Sequence, residues 1–423
     1  VMVSYINERF PNAEGQPQRS FSELEEYERL FAAFDQAVLL ANPDRVIKSG
    51  DGDYDPPSPG LPDNHCYNGW YNGHGLGLGK MHKGYWQMVK PDWYYACGEF
   101  GAEGLDPVPV MYKYYPASWL PQTKAEERDW NANRIASAQT HRFHYMWVTK
   151  FTAEAFRRDN RMVSFAIHLF IDAFPAGWMK TIMDVDRQPK PAYFAYRDAL
   201  SPMMASLRTD RWKYYAGEPV EVETWVSNDT DRVPEGYTLS YQLEQGGKVI
   251  FANRVKAAVP ACESAYQGSV KFDAPKVSRR TTYQLRVSLN DAEGKPVHQN
   301  AETLEVFPAA GKTARKVYAL GEKARALSAE MGCVDVDGLD AAQVVLIDDF
   351  AAYERDRVAI DAWVRRGGKA VLLELPAGAY TVGGTPVLVE NTTMGQYYFA
   401  SPEVAHPLMR DFRPMDFWFW YNP

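Results

Sequence analysis

The sequence predicts a chain of three domains, in which an α/β domain is followed by a small β-sandwich and a second α/β domain. Its 423 residues suit about three domains at roughly 100–200 residues each. Residues 1–203 alternate strand-like and helix-like blocks, residues 204–309 carry short alternating runs, and helix–strand alternation returns in residues 310–423. Alternating strands and helices are typical of parallel sheets, and successive short strands are typical of sandwiches.

The first domain contains five strand-like runs and two long helical patterns. The first helical pattern, SELEEYERLFAAFDQAVLLA, begins with a capping box formed by Ser22 and Glu25. The second spans about residues 134–158. Strands separated by helices form βαβ units, so we expect a parallel sheet. The strand-like runs are VMVSYI, DRVIKSG, DNHCYNGWY, WYYACGEF and MVSFAIHLFI.

The patterns of the two later domains differ from each other. Turn signals such as QGGK and NDAEGK separate runs such as VEVETWVSN, TLSYQLEQ and TTYQLRVSLN, which predicts a β-sandwich. In the last domain the runs KVYALG, AQVVLIDDF and KAVLLELP alternate with helices predicted at Glu322–Met331 and Arg355–Arg366. This alternation predicts an open α/β sheet. Its one cysteine, Cys333, lies outside any nucleophile elbow, so we expect this domain to be non-catalytic.

Composition excludes several classes of function. The net charge is 46 − 54 = −8, and such a chain lacks the basic surface of a general nucleic-acid binder. No apolar run reaches the roughly 18–20 residues that span a bilayer, so no membrane partner is predicted. The four cysteines are scattered without metal spacing. No leader is visible; we expect a periplasmic or extracellular location if a preceding segment carries a signal, and a cytoplasmic one otherwise.

Two glutamates follow predicted strands of the first domain. Glu8 comes after VSYI and Asn7, and Glu99 comes after WYYACG. In a parallel barrel the functional groups lie at the carboxyl ends of the strands. A retaining glycosidase needs a carboxylic acid that protonates the leaving oxygen and a carboxylate about 5–5.5 Å away that attacks the sugar. A single glutamate is more often a solvated surface residue, so only the pair predicts this chemistry.

An acidic run in the first domain offers a metal interpretation. Asp51, Asp53 and Asp55 resemble half of a calcium loop, but Pro62 stands where such a loop needs its bidentate glutamate. We therefore predict a polar loop without a metal. The glycine-rich run GHGLGLGK lacks the ending of a phosphate loop and predicts a flexible active-site loop. No cofactor is predicted.

Four segments of the first domain carry distinctive motifs: YINER, HCYNGWYNGHG, GEFGAEG and GWMKTIMDVDRQPKPAYFAYRDALSP. Together they resemble glycoside hydrolase family two, the group of β-galactosidases, β-glucuronidases and β-mannosidases. GEFGAEG resembles the nucleophile segment of that family, and YINER resembles its strand-four segment ending in Asn-Glu. HCYNGWYNGHG is similar to the strand-six segment of the glucuronidase branch, with one extra residue here. GWMKTIMDVDRQPKPAYFAYRDALSP resembles the closing segment of the barrel. All four occur in family order.

The resemblance implies a multidomain architecture. Residues 1–203 would form the second half of a TIM (β/α)₈ barrel, residues 204–309 an immunoglobulin-like β-sandwich, and residues 310–423 an amidotransferase-like α/β accessory domain. Five of eight barrel strands would leave two unpaired edges, which are prone to aggregation. We therefore expect the chain to act with the missing N-terminal half of the barrel, supplied by the same precursor or by a partner chain.

The resemblance also implies catalytic roles. Glu99 would be the nucleophile, Glu8 the general acid/base, and Asn7 the residue that holds the 2-hydroxyl of the sugar. Glu103 is a rival nucleophile, but the family places its nucleophile before the aromatic–glycine pair, where Glu99 stands.

Further residues of the resembling segments are candidates for substrate binding. Tyr67 would hydrogen-bond the nucleophile, although the extra residue leaves Tyr71 as its competitor. His65 either lines the pocket or packs below it. Trp178 would lie beneath the sugar or be wedged into the barrel rim, and Lys180 could meet an acidic sugar.

The predicted function is that of a retaining exo-β-glycosidase that hydrolyses O-glycosidic bonds. The glucuronidase branch recognises the sugar carboxylate with an Asn-x-Lys pair, and this chain has Trp178 in place of that asparagine. A β-galactosidase-like activity is therefore the first expectation and a β-glucuronidase-like activity the second, with polysaccharide degradation as a setting. The alternative from another class is a catalytically silent carbohydrate-binding or scaffold protein.

Overall fold

The computed structural model describes residues 2–7, 24–52, 61–69, 93–102, 106–129, 149–175, 181–309 and 311–390. These residues divide into two compact units. The first unit holds those within 1–275 and 280–306, and the second holds those within 276–279 and 307–390. The first unit contains both the predicted barrel domain and nearly all of the predicted sandwich, so the boundary at residue 203 stays a prediction.

Five strands of the first unit coincide with the five strand-like runs of the sequence. They are β1 (Met2–Asn7), β2 (Val46–Asp51), β3 (Cys66–Gly69), β4 (Tyr95–Ala102) and β5 (Met162–Ile167). Strand β1 pairs with β2, and β4 pairs with both β3 and β5; all these ladders are parallel. The carboxyl ends of β3, β4 and β5 therefore meet at one edge.

Helices lie between and after these strands. Helix α5 begins with Pro191, whose missing N–H costs nothing at a helix start. The described part of α4 packs Ala153, Ala155 and Phe156 against Phe100 of β4 in the main core of this unit. The helices are α1 (Leu24–Ala41), α2 (Val108–Tyr114), α3 (Lys124–Asp129), α4 (described over 149–158) and α5 (Pro191–Ala199), with a 3₁₀ turn at Ala117–Trp119.

Eight strands in two sheets form a β-sandwich after α5. One sheet has the order β10-β9-β12-β13-β7 and the other the order β11-β8-β6. Buried and exposed side chains alternate along β8, as expected for a strand with one face on a core. The strands are β6 (Met203–Arg208), β7 (Lys213–Tyr215), β8 (Pro219–Asn228), β9 (Thr238–Gln245), β10 (Lys248–Lys256), β11 (Glu263–Asp273), β12 (Thr281–Asn290) and β13 (Pro296–Phe307).

The second unit is an α/β domain with a parallel sheet of order β15-β14-β16-β17. Its other elements are two main helices, a 3₁₀ turn at Leu339–Ala341 and an antiparallel hairpin. The elements are β14 (Lys316–Leu320), α6 (Glu322–Glu330), β15 (Val334–Asp335), β16 (Val344–Ile347), α7 (Phe350–Arg365), β17 (Ala370–Leu372), β18 (Gly378–Val382) and β19 (Thr385–Val389). Across both units, none of the described helices is long and apolar enough to cross a membrane.

Asp348 lies at the N-terminus of α6, beside the point where the strand order of the second unit reverses. The strand order reverses between β14 and β16, where open α/β sheets commonly bind ligands. Asp348 accepts hydrogen bonds there from Ala324 N at 2.8 Å and Lys323 N at 3.2 Å, at the N-terminus of α6. Gly321 has φ 118°, and a Cβ there would lie 2.1 Å from Asp348 Oδ1. The Asp348 carboxylate thus lies at the N-terminus of α6, a position where helices commonly bind anions.

We expect Asp348→Ala to lower the local stability of α6 by about 1–2 kcal/mol, because two backbone N–H groups lose their acceptor. Hydrogen–deuterium exchange of peptides spanning 322–330 measures this change, and added sulfate should restore part of the protection. Asp356→Ala, at an exposed position of α7, is the matched control and should leave exchange unchanged. Equal exchange in Asp348→Ala and the parent protein would contradict the capping role.

Candidate active site

Polar side chains from β2, β3, β4 and the segment before β3 meet around Glu99. Glu99 lies on β4, where the register with β5 shifts between Cys97 and Phe100. Such a bulge re-aims side chains relative to a regular strand. Burial raises the pKa of the neighbouring Cys97, which keeps this thiol neutral. Glu99 is therefore the ionisable group that β4 offers at this edge.

The Glu99 carboxylate is held through one of its oxygens. Oε2 accepts a short hydrogen bond from Tyr67 OH of β3. His65 Nδ1 lies 3.5 Å and His168 Nδ1 3.9 Å from the same oxygen. Within the part of the chain that the structure describes, no donor reaches Oε1, and the Glu99 side chain is 16% exposed. One oxygen is thus fixed while the other remains available for chemistry.

His65 packs below Glu99 between carboxylates. Its side chain is 2% exposed, and its Nε2 lies 3.2 Å from Asp51 Oδ1 and 3.9 Å from Asp63 Oδ1. Its other ring nitrogen faces Glu99. His65 is therefore enclosed by three carboxylates, those of Asp51, Asp63 and Glu99.

Lys48 pairs with both aspartates from the buried face of β2. Its Nζ lies 2.9 Å from Asp51 Oδ2 and 2.8 Å from Asp63 Oδ2. Burial acts to lower the pKa of Lys48, but the charges and hydrogen bonds of Asp63 and Asp51 raise this pKa above its usual value. Burial acts to raise the pKa of Asp51, but hydrogen bonds from His65 and Lys48 lower it. Lys48 and Asp51 are therefore both charged at neutral pH.

Two glycines shape the backbone around this network. Asp63 Oδ1 accepts hydrogen bonds from Gly52 N at 2.7 Å and Gly98 N at 3.1 Å, which joins the end of β2 to β4. A Cβ at Gly98 would lie 1.4 Å from Asp51 Oδ1. At Gly52, with φ 82°, a Cβ would lie 2.5 Å from the His65 ring. Larger side chains at either glycine would displace Asp51 or His65.

The same side chains form a possible metal ligand set. Asp51, Asp63 and His65 each offer a ligand atom, and these atoms lie within 4.8 Å of one another. Lys48 Nζ, however, already neutralises one oxygen of each aspartate. A divalent cation would have to compete with a buried ammonium, so this set fits a charged network better than a metal centre.

Only some of the predicted site residues lie in the described part of the chain. Of these, Glu99, Tyr67 and His65 come together as described above. Asn7 ends β1 with an exposed side chain, and its backbone pairs in register with Asp51. The other predicted site residues and their rivals lie outside the described residues: Glu8, Tyr71, Glu103, Trp178 and Lys180.

Sequence reasoning missed Lys48, Asp63 and His168, and it interpreted Asp51 as part of a polar loop. Lys48 carried a usable signal, because it occupies an inward-facing position of a strand, and a buried lysine needs a carboxylate partner. The partner Asp63 had no such signal in the sequence, because it is a single acidic residue that follows a proline-rich stretch.

Comparison with known proteins finds solved structures of similar chains. A β-D-mannosidase from Dictyoglomus thermophilum matches at TM-score 0.46 and 16% identity, over 72% of this chain and 38% of that chain. The exo-chitosanase CsxA of Amycolatopsis orientalis matches at TM-score 0.43 and 14% identity, over 65% and 34%. A Bacteroides uniformis β-glucuronidase matches at TM-score 0.28 and 15% identity, over 71% and 33%.

These three structures are glycoside hydrolases of the family that the sequence resembles. The chain spans about a third of the length of each. No family model and no curated protein matches the sequence. With every TM-score below 0.5, the likeness is partial, and the chemistry proposed below rests on this chain's own side chains.

Proposed function

We propose that this chain supplies the nucleophile of a retaining β-glycosidase, and that Glu99 is that nucleophile. The observation that supports it best is the state of the Glu99 carboxylate. Oε2 is held by Tyr67 and faces two histidines, whereas no described donor reaches Oε1. A nucleophilic carboxylate needs this arrangement, with one oxygen oriented and the other open towards the anomeric carbon.

The proposed reaction has two displacements. Glu99 Oε1 attacks the anomeric carbon while Glu8 protonates the leaving glycosidic oxygen, and an ester forms between Glu99 and the sugar. Glu8 then removes a proton from water, the water oxygen attacks the same carbon, and Glu99 leaves as a carboxylate. The register of β1 supports this role for Glu8, because Asn7 pairs with Asp51 and Glu8 follows directly.

The proposed architecture is the second half of a (β/α)₈ barrel with two non-catalytic accessory domains. Among the described strands, β1 and β2 pair only with each other, and β3 and β5 each pair with β4 alone. A closed barrel leaves no such edges. The proposed barrel therefore places β2 beside β3 and needs three further parallel strands, which we assign to the same precursor or to a partner chain.

For the substrate, we propose a β-linked neutral hexose, with galactose first and a uronic acid second. Asn7, Trp178 and Lys180 are the proposed sugar contacts. Lys180 offers a positive charge for an acidic sugar, while Trp178 stands where the glucuronidase branch has its asparagine.

Covalent labelling of the complete polypeptide tests this function. We expect incubation with 2-deoxy-2-fluoro-β-glycosides to leave one adduct on Glu99, because the fluorine slows hydrolysis of the glycosyl ester. Intact-mass spectrometry followed by peptide mapping detects it, with galactosides, mannosides and glucuronides as the panel and Glu99→Gln as the unlabelled control. A galactosyl adduct supports the proposed sugar. The absence of any adduct on the folded, complete protein would favour the silent scaffold instead.

A further inference from the structure

Among the described residues, the charges around His65 do not balance while this ring is neutral. Asp51, Asp63 and Glu99 bring three carboxylates together, and Lys48 brings one ammonium. Lys48, Asp63 and His65 are each less than a tenth exposed, so water screens the imbalance poorly. These four groups together carry a net charge of −2, and a protonated His65 would bring the net charge of the cluster to −1.

The hydrogen-bond geometry of His65 favours the same state. A neutral imidazole has one donor and one acceptor nitrogen, whereas an ionised carboxylate only accepts. Both ring nitrogens of His65 face carboxylate oxygens, Nε2 at 3.2 Å from Asp51 and Nδ1 at 3.5 Å from Glu99. Only an imidazolium presents N–H groups to both.

The backbone is also shaped for the contact between Asp51 and His65. Gly98 leaves room for the Asp51 carboxylate, and Gly52 leaves room for the imidazole ring. Asp51 directs Oδ1 to His65 and Oδ2 to Lys48. Both carboxylate oxygens of Asp51 therefore serve the network, although the side chain is 26% exposed.

We propose that Asp51 is a positioning residue that acts through His65 on Glu99: it holds His65 as an imidazolium, and this cation keeps Glu99 ionised and its Oε2 fixed. The proposal rests on the function proposed above. The imidazolium favours the free carboxylate over the neutral ester, so it aids the second displacement, in which Glu99 leaves with its negative charge restored.

The direction of the pH effect follows from the groups that face His65. Within the described ranges these are Asp51 from β2, Asp63 from the segment before β3, Tyr67 from β3 and Glu99 from β4, with Lys48 behind the aspartates. His168 faces Glu99 from the end of β5. In Asp51→Asn, His65 loses the carboxylate that holds its second proton, and Glu99 loses the nearest cation. Ionisation of Glu99 then requires a higher pH.

We expect the acidic limb of the kcat/KM profile of the complete protein to move upward by about one pH unit in Asp51→Asn and in His65→Gln. On the acidic side this shift is a roughly tenfold loss, with recovery towards the plateau at higher pH. Asp198→Asn, an exposed carboxylate paired with Arg197, is the matched control. An unmoved limb with uniformly lower activity, or a raised KM at every pH from a direct sugar contact, would overturn the proposal.

Nitrogen-15 spectra of the histidine rings test the same network without any activity. The chain has eight histidines, and comparison with His65→Gln assigns the signals of His65. We expect a proton on both ring nitrogens at pH 7 in the parent protein and on one in Asp51→Asn. A neutral His65 in the parent would overturn the relay even if Glu99 is labelled. An imidazolium without labelling would leave the relay standing and remove the glycosidase proposal.

Discussion

Glu99→Gln is expected to lower kcat/KM by at least about 10⁴-fold, equivalent to about 5.5 kcal/mol of activation free energy. The amide keeps the size of the side chain and an oxygen that accepts from Tyr67, but it is not nucleophilic and cannot form the glycosyl ester. Steady-state kinetics of the complete protein, on an aryl glycoside of the sugar found by labelling, measure the loss. Thermal unfolding should change little, since the side chain is already partly exposed.

Two control variants distinguish the loss of the nucleophile from a general disturbance of the active-site structure. Glu99→Ala should regain turnover with azide, which enters the vacated space and attacks the anomeric carbon to give an α-glycosyl azide. Glu103→Gln, which removes the rival carboxylate, should keep most of its activity. The reverse pattern, with Glu103→Gln inactive and Glu99→Gln active, would move the nucleophile to Glu103.

The strands that carry the site were predictable because their signals are local. Each of the five strand-like runs contains a strand of the structure, β1 to β5, and three of these strands, β1, β4 and β5, carry several apolar residues in a short stretch. Strand β11 was missed because Gly268 interrupts it and its register with β8 shifts between Tyr266 and Ser269. This bulge breaks the alternation on which the prediction depends.

The start of α7 was predicted five residues too late, although the start of α6 at Glu322 was predicted correctly. Helix α7 was expected from Arg355, yet it begins at Phe350 because Asp349 caps it, accepting a hydrogen bond from Ala352 N. Asp349 lies within the strand-like run AQVVLIDDF, so the sequence pattern assigned it to the strand and not to the helix start.

How the charges around Glu99 meet could not be predicted from the sequence. Lys48 contacts Asp51 and Asp63, and His65 contacts Glu99, although these residues come from β2, from the segment before β3 and from β4. The need for glycine at position 98 comes from Asp51 on another strand. Contacts of this kind, between residues far apart in the sequence, produce no hydrophobic periodicity and no sequence motif.

Lys190→Met is expected to lower the free energy of unfolding by about 3–5 kcal/mol, the largest effect on stability that we predict. Lys190 Nζ lies 3.3 Å from Asp106 Oδ1, 3.2 Å from Asp172 Oδ2 and 2.9 Å from Thr181 Oγ1. The Lys190 side chain is 1% exposed and the two aspartates are equally buried. Methionine would leave two buried carboxylates without their cation. Urea unfolding measures the change.

A double mutant distinguishes the loss of this cation from a simple packing defect. If charge is the cause, Lys190→Met with Asp172→Asn should be more stable than the sum of the two single changes predicts, by at least about 1 kcal/mol. Additive losses would instead indicate that the methionine fails to fill the space of the lysine. Lys113→Met, which removes the exposed partner of Asp186, is the surface control and should leave stability unchanged. The two lysine substitutions should differ in their effect on stability because water screens the ion pair of Lys113 but is excluded from that of Lys190.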